Sequence, residues 1–253
     1  MTRARPPLAV VVLAAGKGTR MRSPLAKVLH PLAGCPLIAH VLTAVRPVAP
    51  RHLLAVVGHQ ADAVRRVCER FGACCVVQEP QLGTGHAVAQ AEPLLADFDG
   101  DVLVLCGDVP LLRAATLHCL LNEHRRHRSA LTMLTAHLDD PTGYGRILRN
   151  DRGHVVGIVE ERDAAPNQKA VGEINGGVYC FQTSFLFAAL PRVGRRNAQG
   201  EQYLTDVVGL AAADGCSIAH LNTQPEEILG VNTPADLARL ETLLSNRRGG
   251  ESS

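Results

Sequence analysis

The sequence predicts an α/β protein: a mostly parallel sheet with helices on both faces, and a smaller second lobe over one edge. Three observations predict it. Continuous apolar runs rich in Val and Leu recur at 8–13, 53–57, 74–77 and 102–106, the pattern of strands buried on both faces. Between them, apolar residues fall at helical spacing, as in Leu37, Ile38, Val41, Leu42 and Val45. Runs end in glycine turns, so strand, turn and helix alternate in the manner that builds parallel sheets.

Each element follows from local chemistry. The first strand runs from Leu8 to Leu13 and breaks at Gly16-Lys-Gly-Thr-Arg20. Residues 28–36 read as a proline-punctuated loop. The helix from Leu37 ends at Arg46-Pro47, because the residue before proline is pushed out of helical geometry. A second strand, 53–57, ends in Gly58. Ala61, Val64, Cys68 and Phe71 mark the next helix, 74–77 a third strand, and 102–106 a fourth that ends in Gly107-Asp108. Residues 113–126 read as a helix with an exposed basic end, His124-Arg-Arg-His-Arg128, near the negative end of the macrodipole. Residues 130–136, 154–160 and 177–181 read as strands, and 203–213 as a helix. Thr233-Pro234 supplies an N-cap and first-turn pair for a last helix, which Arg247-Arg248-Gly249-Gly250 ends. The reading is one domain over 8–246, with residues 1–7 and 247–253 as flexible tails.

Composition narrows the function classes. The 253 residues are 46% hydrophobic, enough for a core of one large domain or two small ones. A net charge of +2 leaves no electrostatic footprint for nucleic acid or an anionic membrane. Aromatics at 3%, with no Trp, argue against base-stacking surfaces. The longest apolar run is far short of the roughly 20 residues that span a bilayer. Pro6-Pro7 and the basic glycine loop argue against reading the start as a signal peptide. The eight cysteines lack any CxxC pair and sit mostly in apolar runs, so buried free thiols in a reducing cytoplasm are expected.

The chemistry-bearing residues cluster at predicted strand ends. Gly16 and Gly18 let backbone approach a ligand closely, and Lys17, Arg20, Arg22 and Lys27 bring positive charge to the same loop. Amide donors with basic side chains after a buried strand suit a polyphosphate. The loop has neither P-loop spacing nor the dinucleotide fingerprint, because Met21 stands where that fingerprint needs glycine. Asp108 is either a turn residue before Pro110 or a carboxylate that holds Mg²⁺ against phosphates. Gln78 and the loop Gln81-Leu-Gly-Thr-Gly-His86 are either a helix-opening turn or a set of hydrogen-bonding groups for a base edge. Gly16, Gln78 and Asp108 should share the carboxyl edge of the sheet, where ligands of such sheets bind. Gly143-Tyr-Gly-Arg146, Glu160 and Glu173-Ile-Asn175 bring polar groups to second-lobe strand ends, suited to a hydroxyl-rich ligand. His86 has no partner at metal-ligand spacing.

Taken together, the motifs resemble a known family. Leu13-Ala-Ala-Gly-Lys-Gly-Thr-Arg-Met21 and Lys27-Val-Leu-His-Pro-Leu-Ala-Gly34 resemble the signature of sugar-1-phosphate nucleotidylyltransferases. Gln81-Leu-Gly-Thr-Gly-His-Ala87, Gly107-Asp-Val-Pro-Leu111, Asp140-Pro-Thr-Gly-Tyr-Gly-Arg-Ile147, Asn197-Ala-Gln-Gly-Glu201, Tyr203-Leu-Thr-Asp206 and Gly230-Val-Asn232 narrow the likeness to N-acetylglucosamine-1-phosphate uridylyltransferases, over about 8–244. The resemblance implies a Rossmann-like sheet with a sugar-binding lobe, and uridylyl transfer from UTP to N-acetylglucosamine 1-phosphate. It implies that Leu13, Ala14, Ala15, Gly16 and Gly18 line the nucleotide. Arg20 would face the leaving pyrophosphate and Lys27 the reacting phosphates. Gln78, Gly83 and Thr84 would bind uridine, and Cys106 and Gly107 would adjoin the substrate. Gly145, Glu160 and Asn175 would bind the amino sugar, and Asp108 and Asn232 would hold Mg²⁺.

The chain departs from the family pattern in places. Ala26 precedes Lys27 where proline is usual, Cys106 stands where tyrosine is common, and Gly176 follows Asn175 where threonine is usual. The bifunctional members continue into a left-handed β-helix of hexapeptide repeats, which these residues lack, so no acetyltransferase activity is expected of them. The competing readings are a nucleotidylyltransferase for another sugar 1-phosphate or nucleotide, and a non-catalytic sugar-nucleotide-binding subunit. Partners expected are small-molecule substrates, with no nucleic acid and no membrane; oligomeric state is left open.

Overall fold

The structure, a computed structural model, describes residues 6–250, with side chains as far as 246. In chain order its elements are β1 (Leu8–Ala14), β2 (Pro31–Leu32), β3 (Cys35–Pro36), α1 (Leu37–Val45), β4 (His52–Val57), α2 (Ala61–Glu69), β5 (Cys74–Val77), α3 (Thr84–Ala89) and β6 (Asp101–Cys106). There follow α4 (Ala114–His127), β7 (Leu131–His137), β8 (Arg146–Arg149), β9 (Val155–Val159), α5 (Pro166–Lys169) and β10 (Glu173–Gln182). The last are α6 (Thr183–Ala189), α7 (Asp206–Ala213), β11 (Ile218–Asn222) and α8 (Pro234–Gly250).

The main sheet runs β11-β7-β10-β6-β1-β4-β5. β1 pairs in parallel with β4 and β6, and β4 with β5. β10 is antiparallel to both β6 and β7, whereas β11 is parallel to β7. Along this path only β10 therefore runs against the rest, and the mostly parallel sheet is present. β8 and β9 form an antiparallel pair that joins the sheet where Ile174 of β10 meets Arg146. This pair, with the front of β10, makes the smaller lobe.

Both faces of the sheet are covered. Val10 and Val12 of β1, with Leu103 and Leu105 of β6, pack on one face against α1, α2 and α4. Ala9 and Val11, with Val102 and Val104, face the other side against α3, α6 and α7. The alternation explains the unbroken apolar runs, because a strand buried on both faces has no solvent side to mark with polar residues. Each fully buried Val or Leu contributes on the order of 1.5–3 kcal/mol of transfer free energy. A third apolar cluster seats α8 through Leu240 on Met21, Leu32, Leu37, Leu229 and Val231.

Several expectations need correction. The loop read over 28–36 contains the two-residue pairing of β2 with β3. β8 overlaps a stretch read only as a motif, β11 lies where no element was read, and the helix read from 203 begins only at Asp206. The strand read over 177–181 starts earlier, at Glu173, and is bulged between Asn175 and Tyr179. The basic end of α4 is not all solvated: His124 is buried and Arg125 largely so, and both turn inward to Asp101. Pro6 and Pro7 are tied down by Arg125 and by the Asp101 amide, and the helix backbone of α8 continues through 250. The rest of the two tails, 1–5 and 251–253, lies outside the described residues. All eight cysteines are free, but only Cys68 and Cys180 are buried; Cys35, Cys74 and Cys119 are exposed. No described helix is long and apolar enough to cross a membrane.

Candidate active site

A cavity of about 460 Å³ opens at the carboxyl ends of β1, β5 and β6. Leu13, Ala14, Ala15, Gly16, Gly18, Lys27, Gln78, Gly83, Thr84, Cys106 and Asp108 all line it. The expectation that Gly16, Gln78 and Asp108 share one edge is met. Lys17, Thr19, Val28, Gln81, Ala87 and Glu201 complete the lining.

The two glycines of the first loop do different work. Gly18 has φ +65°, and a Cβ there would fall 2.5 Å from Lys27 Cβ, so it closes the loop on the protein itself. A Cβ on Gly16 would meet nothing within 4 Å. Gly16 is therefore free of any packing demand from the chain, and its bare backbone faces the open cavity. Gly107 sits just behind Asp108, and a Cβ there would meet Leu13 O at 3.0 Å.

Lys27 follows a loop that Gln60 holds at two points. The Ala26 amide donates to Gln60 Oε1 at 2.9 Å, and Gln60 Nε2 donates to the Pro24 carbonyl at 2.8 Å. Lys27 Nζ then reaches Asp108 Oδ2 and, at 3.2 Å, Asn232 Oδ1. Arg20 donates to the same Asn232 oxygen at 2.9 Å from the exposed rim. Asn232 comes from the far end of the chain. The Val231 amide donates to Asp108 O at 2.9 Å, and Asp236 Oδ2 accepts from the amides of Asn232 and Thr233 at 3.0 and 2.8 Å. The Asp236 amide in turn finds Thr233 Oγ1, a capping arrangement that opens α8 and fixes Asn232 beside Asp108.

At the other side of the cavity, Gln78 is 3% exposed. Its Nε2 donates to Gly83 O at 2.9 Å and lies 3.0 Å from His86 Nδ1. Burial, with the charge of Arg195, holds His86 below its usual pKa and so favours the neutral ring that can accept this bond. With both amide hydrogens engaged, Gln78 has its Oε1 acceptor left for a ligand. Gly83 has φ +114°, and a Cβ would strike the Gln202 backbone at 2.4 Å. That close approach lets Gly85 N donate to Gln202 O and Thr84 Oγ1 accept from Leu204 N. The segment around Asn197–Glu201 is thereby laced onto the Gln81–His86 loop and brings Glu201 to the cavity wall.

Gly145, Glu160 and Asn175 form a second cluster beside the cavity rather than in its lining. The Asn175 amide donates to Gly145 O at 2.9 Å, and a Cβ on Gly145 would lie 3.5 Å from both Glu160 carboxylate oxygens. Burial pushes the Glu160 carboxyl above its usual pKa, opposed by the bond from Thr205 Oγ1 at 3.0 Å. Cys106 joins cluster to cavity: its thiol is 3.5 Å from Gly177 O. Burial, then the negative charge of Asp108, pushes that thiol up to about 12, so it stays neutral. Gly176 leaves no room for a larger residue, because a Cβ would meet Ile228 Cγ2 at 2.9 Å and Leu134 O at 3.0 Å.

Asp108 and Asn232 offer two hard oxygens converging on one cationic group, the Lys27 ammonium. Such a donor pair fits Mg²⁺, which takes one or two protein oxygens and completes its shell from phosphates and water. Sequence reading missed Gln60, Thr205 and Glu201 as site residues. Each acts through a contact with a distant segment; Glu201 and Thr205 lie inside motifs that carry the resemblance, whereas nothing in the local sequence around Gln60 signals its role.

Residues 10–192 match the MobA-like NTP transferase domain. The bifunctional protein GlmU of Pelobacter propionicus is 51% identical over 95% of this chain and 53% of its own length. That of Desulfotalea psychrophila is 45% identical over 97% of this chain and 73% of its own. The chain thus spans about half the length of the first of these relatives. A solved structure of a putative glucose-1-phosphate thymidylyltransferase from Bacillus anthracis superposes with a TM-score of 0.73 at 20% identity, covering 93% of this chain and 94% of that one; at that identity the likeness is one of fold. The chain belongs to the MobA-like NTP transferase family and, within it, to the GlmU-type proteins.

Proposed function

We propose that the chain transfers a uridylyl group from UTP to N-acetylglucosamine 1-phosphate, giving UDP-N-acetylglucosamine and pyrophosphate in a Mg²⁺-dependent reaction. The observation that carries this reading is the meeting of Arg20, Lys27, Asp108 and Asn232 at the mouth of a cavity whose far wall holds Gln78, Gly83 and Thr84. Charge handling sits at one end and base-sized hydrogen-bonding groups at the other. The motif set and the GlmU relatives favour uridine and an N-acetylated sugar over other pairs.

A phosphate oxygen of the sugar phosphate attacks the α-phosphorus of UTP. The bond from that phosphorus to the bridging oxygen breaks, and pyrophosphate leaves. No covalent enzyme intermediate is needed, so the chain's contribution is positioning and charge stabilisation. Leu13 to Gly16 present backbone to the nucleotide, and Gly16 keeps the approach open. Lys27 neutralises negative charge building on the reacting phosphates, and Arg20 at the rim attends the departing pyrophosphate. Gln78 offers an acceptor to the base, with Gly83 and Thr84 beside it. Asp108 and Asn232 would hold Mg²⁺, which when bound supplies divalent charge to the phosphate oxygens. Gly145, Glu160 and Asn175 bond the sugar's hydroxyl and amide groups, and the neutral Cys106 thiol borders them.

Pyrophosphate release measured across a matrix of nucleoside triphosphates and sugar 1-phosphates tests the proposal. The expected maximum is at UTP with N-acetylglucosamine 1-phosphate. A maximum at another pair reassigns the substrates, and no release at any pair removes catalysis and leaves a binding subunit.

A further inference from the structure

At the end of the sheet opposite the cavity, three potential ligands converge under α4. Asp101 opens β6. Cys180 lies on the neighbouring β10, where Cys180 faces Leu103 and Gln182 faces Asp101 in the register. Asp101 and Cys180 therefore share one face as diagonal neighbours. His124, in the last turn of α4, closes over them. The Cys180 thiol and a ligand atom from each of the other two all lie within 4.8 Å of one another, and all three residues are buried.

His124 is the observation that makes this more than a cluster. Its side chain is 2% exposed. Nδ1 lies 2.9 Å from Thr132 Oγ1, whereas buried Nε2 has no hydrogen-bond partner. Nε2 points at Asp101 Oδ1 across 3.6 Å, too far for a hydrogen bond. When Nδ1 donates to Thr132 Oγ1, Nε2 carries the lone pair, as in a metal-ligating histidine, and it stands 3.6 Å from the Asp101 carboxylate. The 3.6 Å separation is close to the roughly 3.4 Å between two ligand atoms of a tetrahedral ion with bonds near 2.05 Å. The second carboxylate oxygen, Oδ2, is held by Arg125 at 2.8 Å, which leaves Oδ1 as the single donor.

We propose that Asp101 Oδ1, His124 Nε2 and Cys180 Sγ form a buried zinc site that pins α4 to β6 and β10. Thiolate, imidazole and a single carboxylate oxygen are zinc donors. Binding releases the Cys180 thiol proton to solvent, and the thiolate and carboxylate then cancel the ion's charge. Arg125 remains partly exposed and solvated, so it need not be neutralised. It also lines a 270 Å³ surface cavity with Pro6, Pro7, His118, Leu121 and Asn122. The site is separate from the nucleotide cavity, so its metal serves structure and not transfer.

The test uses the full chain, loaded with zinc and gel-filtered, after its exposed thiols (Cys35, Cys74, Cys119) are alkylated under native conditions. Metal analysis should find one zinc per chain, and Co²⁺ in its place should give a thiolate-to-cobalt charge-transfer band. Cys180→Ala and His124→Asn should lose both signals and the rise in melting temperature that zinc gives the wild type, with Cys180→Ala keeping its nucleotide turnover. Zinc retained at full stoichiometry in Cys180→Ala overturns the site. So does wild-type protein without zinc, charge-transfer band or zinc-dependent melting shift, and this arm holds even if a variant does not fold.

Discussion

Gly16 separates what the fold needs from what a ligand needs. A side chain there has open space in the protein alone. Gly16→Val should therefore melt within a degree or two of the wild type yet bind UTP at least about tenfold more weakly, some 1.4 kcal/mol, by calorimetry. Unchanged affinity would remove this loop from the nucleotide site. Glu160 makes a second residue-scale prediction. Its carboxyl is raised in the folded state by burial, so folding favours the protonated form. Stability is then fully present below the ordinary carboxylate range and is lost as pH rises through the raised folded value. Glu160→Gln, which cannot ionise, should melt higher than the wild type near pH 8, with the gap closing on acidification. A gap independent of pH would mean that the charge is not what costs stability. Gly16 and Glu160 were both legible in the sequence, because a glycine loop and a polar residue at a strand end carry local signals. The inward turn of His124 was not, because a basic run at a helix end reads as solvated until the facing carboxylate is known.

Among the elements, the short segment between β11 and α8 decides whether Asn232 reaches Asp108. Glu227, 2% exposed, anchors it: its carboxylate accepts from Arg113 N at 3.1 Å, Arg113 Nε at 2.9 Å and Thr116 Oγ1 at 2.5 Å. This ties the segment to the start of α4. Glu227→Ala should cost about 1–3 kcal/mol by denaturant titration, since buried donors lose their acceptor. It should also lower kcat, because the loop carrying Asn232 loosens. Stability lost with kcat intact would show that the segment holds its place without Glu227. The strands of the parallel core were readable because burial on both faces removes polar residues from the pattern. β8 and β11 were not, because half-exposed short strands such as Ile218–Asn222 mix polar and apolar residues without a clear period. β10 was read short because the Gly176-Gly177 bulge interrupts it.

For the whole molecule, the sheet sets two distances that no local motif contains. It brings the Gly16 loop, Gln78 and Asp108 to one edge, and the β8–β9 lobe places Glu160 beside Cys106. A site built to bond sugar hydroxyls and an N-acetyl group rejects a substrate that leaves those groups unpaired. N-acetylglucosamine 1-phosphate should exceed glucose 1-phosphate by at least about a hundredfold in kcat/KM in competition kinetics, near 2.7 kcal/mol. Equal use of the two would overturn the sugar assignment and leave nucleotidyl transfer standing. The overall fold was legible because the βαβ rhythm and the edge rule apply before any contact is known. The clamp of Gln60 on Pro24 and Ala26 was not, because it joins loops that only the folded sheet makes neighbours. The most direct measurement is the rate of UDP-N-acetylglucosamine formation from UTP, N-acetylglucosamine 1-phosphate and Mg²⁺ by the wild type and by Asp108→Ala, with circular dichroism on both. The account predicts product from the wild type and at least about a hundredfold less from a fully folded Asp108→Ala; comparable rates from the two proteins would contradict it.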